Sequence, residues 1–364
     1  NGPYSRDDDK HGLGDWEPST KKLPRGLSYI AKEALKRKVD FGIWLEPEMV
    51  NPQSELYQKH PDWIITQPKR TPILGRHQEI LDLTRPEVQA FEWQVIDKTL
   101  RPNPDISYVK WDCNRYITQP GSGYLQPAEQ SHLWIDYNWA LYRLMERFSK
   151  EFPNVMAMLC AGGSGRVDYG ALPYFHSFWP SDNTDPLGRI KIQWGFSHFF
   201  PAISAHVTRM GKRHLKLAID VALSGAFGID LALDKATAEE RVQIADAVKL
   251  YKASIRPLVM QGELYRLVSP YEHPMASLSY VSTDKNDAVV YLYQIQDGSV
   301  PQVILGGLDA RKNYRVEEVG LPKGSTSRFP GHGKIFSGAE LMSTGIANPL
   351  NAQFESAILL LKTQ

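Results

Sequence analysis

Residues 108–112 read Tyr-Val-Lys-Trp-Asp, a short apolar run that stops abruptly on charge. Three other runs stop in a similar way: Phe-Gly-Ile-Trp-Leu-Glu at 41–46, the run 155–160 that ends in Cys160 before a glycine cluster, and His-Ser-Phe-Trp-Pro-Ser-Asp at 176–182. Apolar runs of this length read as strands buried on both faces, as in a parallel sheet. In (β/α) barrels reactive groups collect where strands end, because the loops there vary freely while the opposite face supplies stability. Buried strands also end in polar residues merely by reaching solvent, so the pattern by itself leaves both explanations open.

Working outward, short apolar runs alternate with longer amphipathic stretches from about residue 26 to 265, which is the signature of βα units. Six strands are expected, at 39–45, 108–112, 155–160, 176–179, 203–207 and 227–231. Between them, 86–100 carries Val88, Phe91, Val95, Ile96 and Leu100 at helical spacing behind a proline at the first turn. The stretch 237–255 behaves similarly, with Val242, Ile244, Ala245 and Val248 behind a Thr-Ala-Glu-Glu start that resembles a capping box. After Leu267 the texture changes to strands and turns: 276–281 and 288–294 form an antiparallel hairpin, and runs at 302–305, 314–319 and 356–362 extend it to a small β-sandwich. The expected organisation is a (β/α) barrel domain over 1–270 and an antiparallel β-sandwich over 271–364.

Composition narrows the function. Lys and Arg total 42 against 41 Asp and Glu, so no overall field draws in nucleic acid or an anionic membrane surface. A neutral small-molecule substrate fits this balance. The longest apolar run, 356–361, is one strand long and far short of the roughly 20 residues that span a bilayer, so a soluble protein is expected. The only cysteines, Cys113 and Cys160, have neither metal-ligand nor framework spacing and read as free thiols, which leaves the compartment undecided. The first ten residues are polar and turn-rich with no start methionine, so the chain is expected to begin mid-protein.

Asp112 and Asp182 lead the candidates for chemistry, each at a predicted strand end beside an aromatic residue. Two such carboxylates suit glycoside hydrolysis, in which an ionised carboxylate meets the anomeric carbon and a protonated carboxyl serves the leaving oxygen. Lys110 and Arg115 are expected to hold Asp112 ionised, and an aromatic wall at Trp179 to desolvate Asp182. The plainer alternative is that Asp182 and Asp185 form a turn and a helix cap before 187–200. Metal binding has less support: His176, His198 and His206 accompany many carboxylates, but no ligand spacing occurs. Trp16, Trp44, Trp111, Trp179 and Trp194 offer faces for stacking on a sugar, or equally for packing a core. The cluster Gly162-Gly163-Ser164-Gly165 lacks the ending of a phosphate loop and reads as backbone that approaches a ligand closely.

Several longer motifs occur in order: Gly-Leu-Gly-Asp-Trp at 12–16, Phe-Gly-Ile-Trp-Leu-Glu-Pro-Glu-Met-Val at 41–50 and His-Pro-Asp-Trp at 60–63. Lys-Trp-Asp-Cys-Asn-Arg at 110–115, Cys-Ala-Gly-Gly-Ser-Gly-Arg at 160–166 and Ser-Asp-Asn-Thr-Asp at 181–185 follow them. Together they resemble the α-galactosidases of glycoside hydrolase family 36. The resemblance implies an N-terminal β-supersandwich, a (β/α)8 TIM-like barrel and a C-terminal β-sandwich, acting with retention on terminal α-galactosides without a cofactor or metal. It makes Asp112 the nucleophile and Asp182 the general acid and base, with carboxyl groups about 5 to 5.5 Å apart. It also implies Trp44 as a wall of the pocket, Arg76 and Lys110 on sugar hydroxyls, and Cys160, Gly163 and Trp179 around the ring. Small groups at Cys160 and Gly163 favour galactose over its 2-acetamido analogue. Family members are often tetramers.

Two departures from the family pattern stand out. Met158 occupies a position where the family usually has glutamate. The family's Asp-Asp-Gly-Trp-Phe strand end, which binds the 4- and 6-hydroxyls, falls before Asn1, so the chain is expected to lack the first two barrel strands and to fold poorly alone. Kindred activities remain as alternatives, α-N-acetylgalactosaminidase or a transglycosylase of the raffinose synthase kind, as does a non-catalytic sugar-binding fragment.

Overall fold

The computed structural model describes residues 4–201, 206–207, 214–298 and 300–364. The chain divides into two compact units, Asn1–Trp179 and Pro180–Gln364.

In the first unit, β1 (Phe41–Leu45), β2 (Ile106–Trp111), β3 (Met156–Leu159) and β4 (Ser177–Phe178) form a parallel sheet in that spatial order. Parallel neighbours need long crossovers, and α1 (Pro86–Leu100) and α2 (Leu133–Glu151) supply the first two. Helix α1 starts on its proline and buries Val88, Val95, Ile96 and Leu100 of the stripe its spacing predicts, with Phe91 half-buried. Helix α2 buries Leu133, Tyr137, Leu141, Leu144 and Phe148 at the same period. The sheet registers Trp44 beside Lys110 and Lys110 beside Met158, which brings three strand ends level. Val109 and Trp111 are fully buried, so every second residue of β2 points into the packed layer and Lys110 points the other way.

In the second unit, the short strands β5 (His206–Val207) and β6 (Ala226–Phe227) pair in parallel. Of the strand expected at 203–207, residues 203–205 lie outside the described residues, and the strand expected at 227–231 reduces to the two residues of β6. Helices α3 (Pro186–Phe196), α4 (Leu215–Leu223) and α5 (Ala238–Leu250) accompany them. The predicted capping box opens α5: Thr237 Oγ1 accepts from the Glu240 N–H and Glu240 Oε2 accepts from the Thr237 N–H. Its apolar face is corrected, because Val242 and Ala245 are exposed and the buried stripe is Ile244, Ala247 and Tyr251. Those three recur at spacings of three and four, whereas the predicted set does not define one stripe.

The rest of the second unit is a six-stranded antiparallel sheet built from β7 (Glu263–Val268), β8 (Met275–Val281), β9 (Asp287–Gln294), β10 (Asn313–Val319), β11 (Ile335–Ser337) and β12 (Ser356–Thr363). Their spatial order is β11-β10-β12-β9-β8-β7. The expected hairpin is β8 and β9. Strand β7, on the barrel side of the sequence boundary at 270, pairs with β8 as the sheet's edge. In β9, Val289, Tyr291 and Tyr293 pack toward α4 and α5, while Val290 and Leu292 pack with Val303, Leu341 and Ile346. Residues 302–303 and 346–347 make the small second sheet behind that face.

The tyrosines of this sheet cap a helix. Four or so carbonyls at a helix C-terminus lack partners within the helix. At the end of α4, the hydroxyls of Tyr293, Tyr291 and Tyr280 donate to the carbonyls of Asp220, Leu223 and Ser224 at 3.1, 2.8 and 2.9 Å. Among the described residues no helix is long and apolar enough to cross a membrane.

Candidate active site

Strand β2 delivers Asp112 one residue past its last paired position, with the Asp112 N–H donating to Leu45 O of β1 at 2.8 Å. The carboxylate is 5% exposed, so ionisation needs compensation. That compensation is present. Trp44 Nε1 donates to Oδ2 at 2.9 Å and the Cys113 N–H donates to Oδ1 at 2.9 Å. Asn114 and the Cys160 thiol favour the ionised form of the same carboxylate, and Lys110 Nζ lies 3.9 Å from Oδ2. Burial pushes the Asp112 pKa up, but the bonds from Trp44 and Asn114 and the charge of Lys110 outweigh it, and the carboxyl lies below its ordinary range.

Of the predicted binding positions, Trp44, Lys110 and Cys160 act directly on this carboxylate, and Trp179 and Gly163 stand against Lys110 and Cys160. Lys110 stands two residues before Asp112 on the same face and places its ammonium 5.5 Å from the Trp179 ring centroid. Trp179, Cys160 and Met158 pack together with Tyr108 at the ends of β3 and β4. Met158 thus makes apolar contact where a glutamate would bring charge. Burial raises the Cys160 thiol pKa to about 12, with the Asp112 charge adding to it, so the thiol stays neutral and donates. Gly162 and Gly163 both take left-handed φ values, 59° and 96°, which turn the chain sharply after β3 and bring the Gly163 backbone onto the Cys160 sulfur. Trp44 is half-buried, with the Trp16 ring 6.0 Å and the Arg6 guanidinium 5.9 Å from it. Arg76 is exposed in a tight turn closed by bonds between Gly75 and Gln78, and its charge reaches Glu46 and Arg6.

Two expectations, for Arg115 and Asp182, are corrected, and the open choice for two tryptophans is decided. Arg115 takes no part in holding Asp112: its Nη2 pairs with buried Glu79 at 3.3 Å and its Nη1 donates to Tyr116 O at 2.8 Å. Trp111 is fully buried between Phe148 and Phe175, and Trp194 is 8% exposed, so both are core residues rather than sugar platforms. In the second unit Asp182 is exposed, which leaves the expected desolvation unmet; its charge acts on the buried guanidinium of Arg189. Asp185 caps α3, its Oδ1 accepting from the N–H groups of Leu187 and Gly188.

Sequence reasoning also missed a set of polar residues in the first unit. Glu46, 1% exposed, accepts from the Asn114 N–H at 2.7 Å. Glu48 is fully buried and accepts from Arg166 Nη1 at 2.6 and 2.8 Å, Trp111 Nε1 at 3.1 Å and Tyr137 Oη at 2.6 Å. Glu46 ends a predicted strand as Asp112 does, and that signal was available. No signal near Glu48 points to its three donors. Cys113 and Cys160 are free, and among the described residues no group of His, Cys, Asp and Glu could hold a metal ion.

This geometry agrees with what the chain resembles. The Melibiase family model matches residues 2–262, and the model for the glycosyl hydrolase family 36 C-terminal domain matches residues 275–361. The chain is similar to α-galactosidase AgaA of Geobacillus stearothermophilus, 39% identical over 94% of this chain and 46% of that protein. It is also similar to α-galactosidase 1 of Pediococcus pentosaceus, 35% identical over 95% of this chain and 46% of that protein. Among solved structures, the family 36 α-galactosidase AgaB of G. stearothermophilus superposes with a TM-score of 0.90 at 38% identity, over 99% of this chain and 49% of that one. A variant of AgaA solved in complex with raffinose gives 0.90 at 36% identity over the same shares. The chain spans about half the length of the relatives it matches. With both models matched in order along nearly all of its length, the chain belongs to the melibiase family of glycoside hydrolases and carries the C-terminal domain of glycosyl hydrolase family 36.

Proposed function

We propose that this chain carries the reacting groups of a retaining α-galactosidase acting on terminal α-galactosyl residues, with Asp112 as nucleophile and Asp182 as general acid and base. The observation that carries the reading is the state of Asp112: a nearly buried carboxylate at a strand end, kept ionised by converging donors and one ammonium. In the first step an Asp112 oxygen bonds the anomeric carbon from the face opposite the leaving oxygen, the glycosidic bond breaks, and Asp182 gives the leaving oxygen its proton. In the second step water, deprotonated by Asp182, displaces Asp112 and restores both carboxyl groups. A separation of about 5 to 5.5 Å between the two carboxyl groups belongs to this mechanism.

Lys110 and Arg76 serve the sugar hydroxyls, Trp44 and Trp179 wall the ring, and the neutral thiol of Cys160 with the bare backbone of Gly163 leaves little room beside the 2-hydroxyl. Substrates are raffinose-type oligosaccharides and melibiose. Support comes from relatives named α-galactosidases and from AgaA variants solved with raffinose and stachyose. The barrel and the C-terminal domain meet near residue 270, between the two matched ranges, and the resemblance to the family implies a homotetramer. No cofactor enters the reaction.

The test uses the enzyme carrying this chain. It hydrolyses nitrophenyl α-galactoside in preference to the 2-acetamido analogue, and transfer from galactinol to sucrose is minor. Asp112→Ala loses turnover and regains it with azide, giving β-galactosyl azide, since a small anion enters where the nucleophile stood. Formation of the α-azide instead would assign Asp112 to acid and base work and overturn the reading.

A further inference from the structure

Glu46 and Asp112 end adjacent strands, and the loop after Asp112 joins them. Asn114 donates its backbone N–H to Glu46 at 2.7 Å, and the preceding residue, Cys113, donates its N–H to Asp112 at 2.9 Å. Glu46 therefore holds the loop that carries one of the donors to Asp112. We propose that Glu46 is a positioning residue for Asp112, acting through Asn114, and that the two carboxylates share their charge state, so that loss of the Asp112 charge in the glycosyl ester lets Glu46 ionise.

The proposal rests on Asp112 being the nucleophile. Attack converts the Asp112 carboxylate into a neutral ester, while the leaving oxygen takes its proton from Asp182. A proton held by Glu46 then leaves to solvent, because the neighbouring negative charge is gone. Burial first, and the Asp112 charge second, raise the Glu46 pKa to about 7, against the Asn114 bonds and the charge of Arg76. The other groups that face Glu46 are the neutral thiol of Cys113 and the guanidinium of Arg6, itself facing Asp8 and Asp9. Of the groups that face Glu46 only Asp112 changes charge during the reaction, so it is the group that drives the coupling.

Infrared titration of the substrate-free enzyme tests the coupling without turnover. The protonated carboxyl band that disappears in Glu46→Gln is assigned to Glu46. It titrates near neutral pH in the wild type and at lower pH in Asp112→Asn. Titration at the same pH in both, or no band lost in Glu46→Gln, overturns the proposal. Kinetics test the positioning: Glu46→Gln keeps an acceptor for the Asn114 N–H, so its kcat falls less than that of Glu46→Ala, and the ionisation near neutrality drops out of its kcat profile. Glu46→Ala lowers kcat about tenfold or more with KM little changed, the cost of a displaced nucleophile. Equal losses in both variants, or a Glu46→Gln profile identical to wild type, overturn it. A failed azide rescue at Asp112 counts against the catalytic assignment and leaves the infrared comparison to be judged separately.

Discussion

The buried pair Glu48 and Arg166 makes a quantitative prediction about stability. Glu48 is fully buried and Arg166 is 17% exposed on its side chain. One guanidinium nitrogen bonds both carboxylate oxygens, while Trp111 and Tyr137 fill the remaining acceptor positions. Replacing Arg166 with Met leaves a carboxylate in the packed layer with two neutral donors and no cation, which costs about 3 to 5 kcal/mol. Glu48→Gln leaves a guanidinium whose Nε and Nη2 are already buried without partners among the described residues facing a neutral amide, and costs a similar amount, about 3 to 5 kcal/mol. The double variant removes the uncompensated charge from both sides and costs less than Arg166→Met alone. Denaturant midpoints and slopes for the four proteins at neutral pH measure the cycle. If the double variant loses the sum of the two single losses, the residues do not act as a pair and the reasoning fails.

Two further predictions concern buried polar groups. Neither carboxyl oxygen of Glu92 has a hydrogen-bond partner among the described residues, and burial, with the charge of Glu48 second, raises its pKa well above the ordinary value. The native state therefore holds a proton that the unfolded chain releases above about pH 4.3, so this contribution to stability is full below that pH and declines as pH rises. Denaturant midpoints fall with rising pH in the wild type and fall less in Glu92→Gln; identical slopes would refute it. In the second unit, Tyr291→Phe and Tyr293→Phe each lose about 1 kcal/mol, because each removes a hydroxyl that satisfies a carbonyl at the end of α4. Midpoints within about 0.3 kcal/mol of wild type for both would show that water replaces the hydroxyls at no cost.

Much of the fold was legible because buried parallel strands and capped helices leave local marks. The strands ending in Leu45, Trp111, Leu159 and Phe178 left short apolar runs because at least one face of each is sealed in the packed layer, and Pro86 and Thr237 announce their helices within the first turn. What was not legible depends on partners distant in sequence. Strand β9 is buried on both faces, so its hydropathy does not reveal that tyrosines take one side and aliphatic residues the other. Trp44 and Trp111 each end a predicted strand, yet one donates to Asp112 and the other is sealed in the core, because their positions in the pleat differ.

The same limit separates Glu46 from Glu48, two residues apart in Glu-Pro-Glu after β1. Their side chains serve different layers: Glu46 meets Asn114 beside Asp112, and Glu48 meets Trp111, Tyr137 and Arg166 at separations of 63, 89 and 118 residues. Glu48 is buried against a guanidinium that compensates its charge, whereas Glu46 is buried near another carboxylate whose charge adds to the effect of burial. These two environments, two residues apart, are consequences of a single turn at Pro47. The distinction is physical and appears only when the three crossovers have brought their ends together.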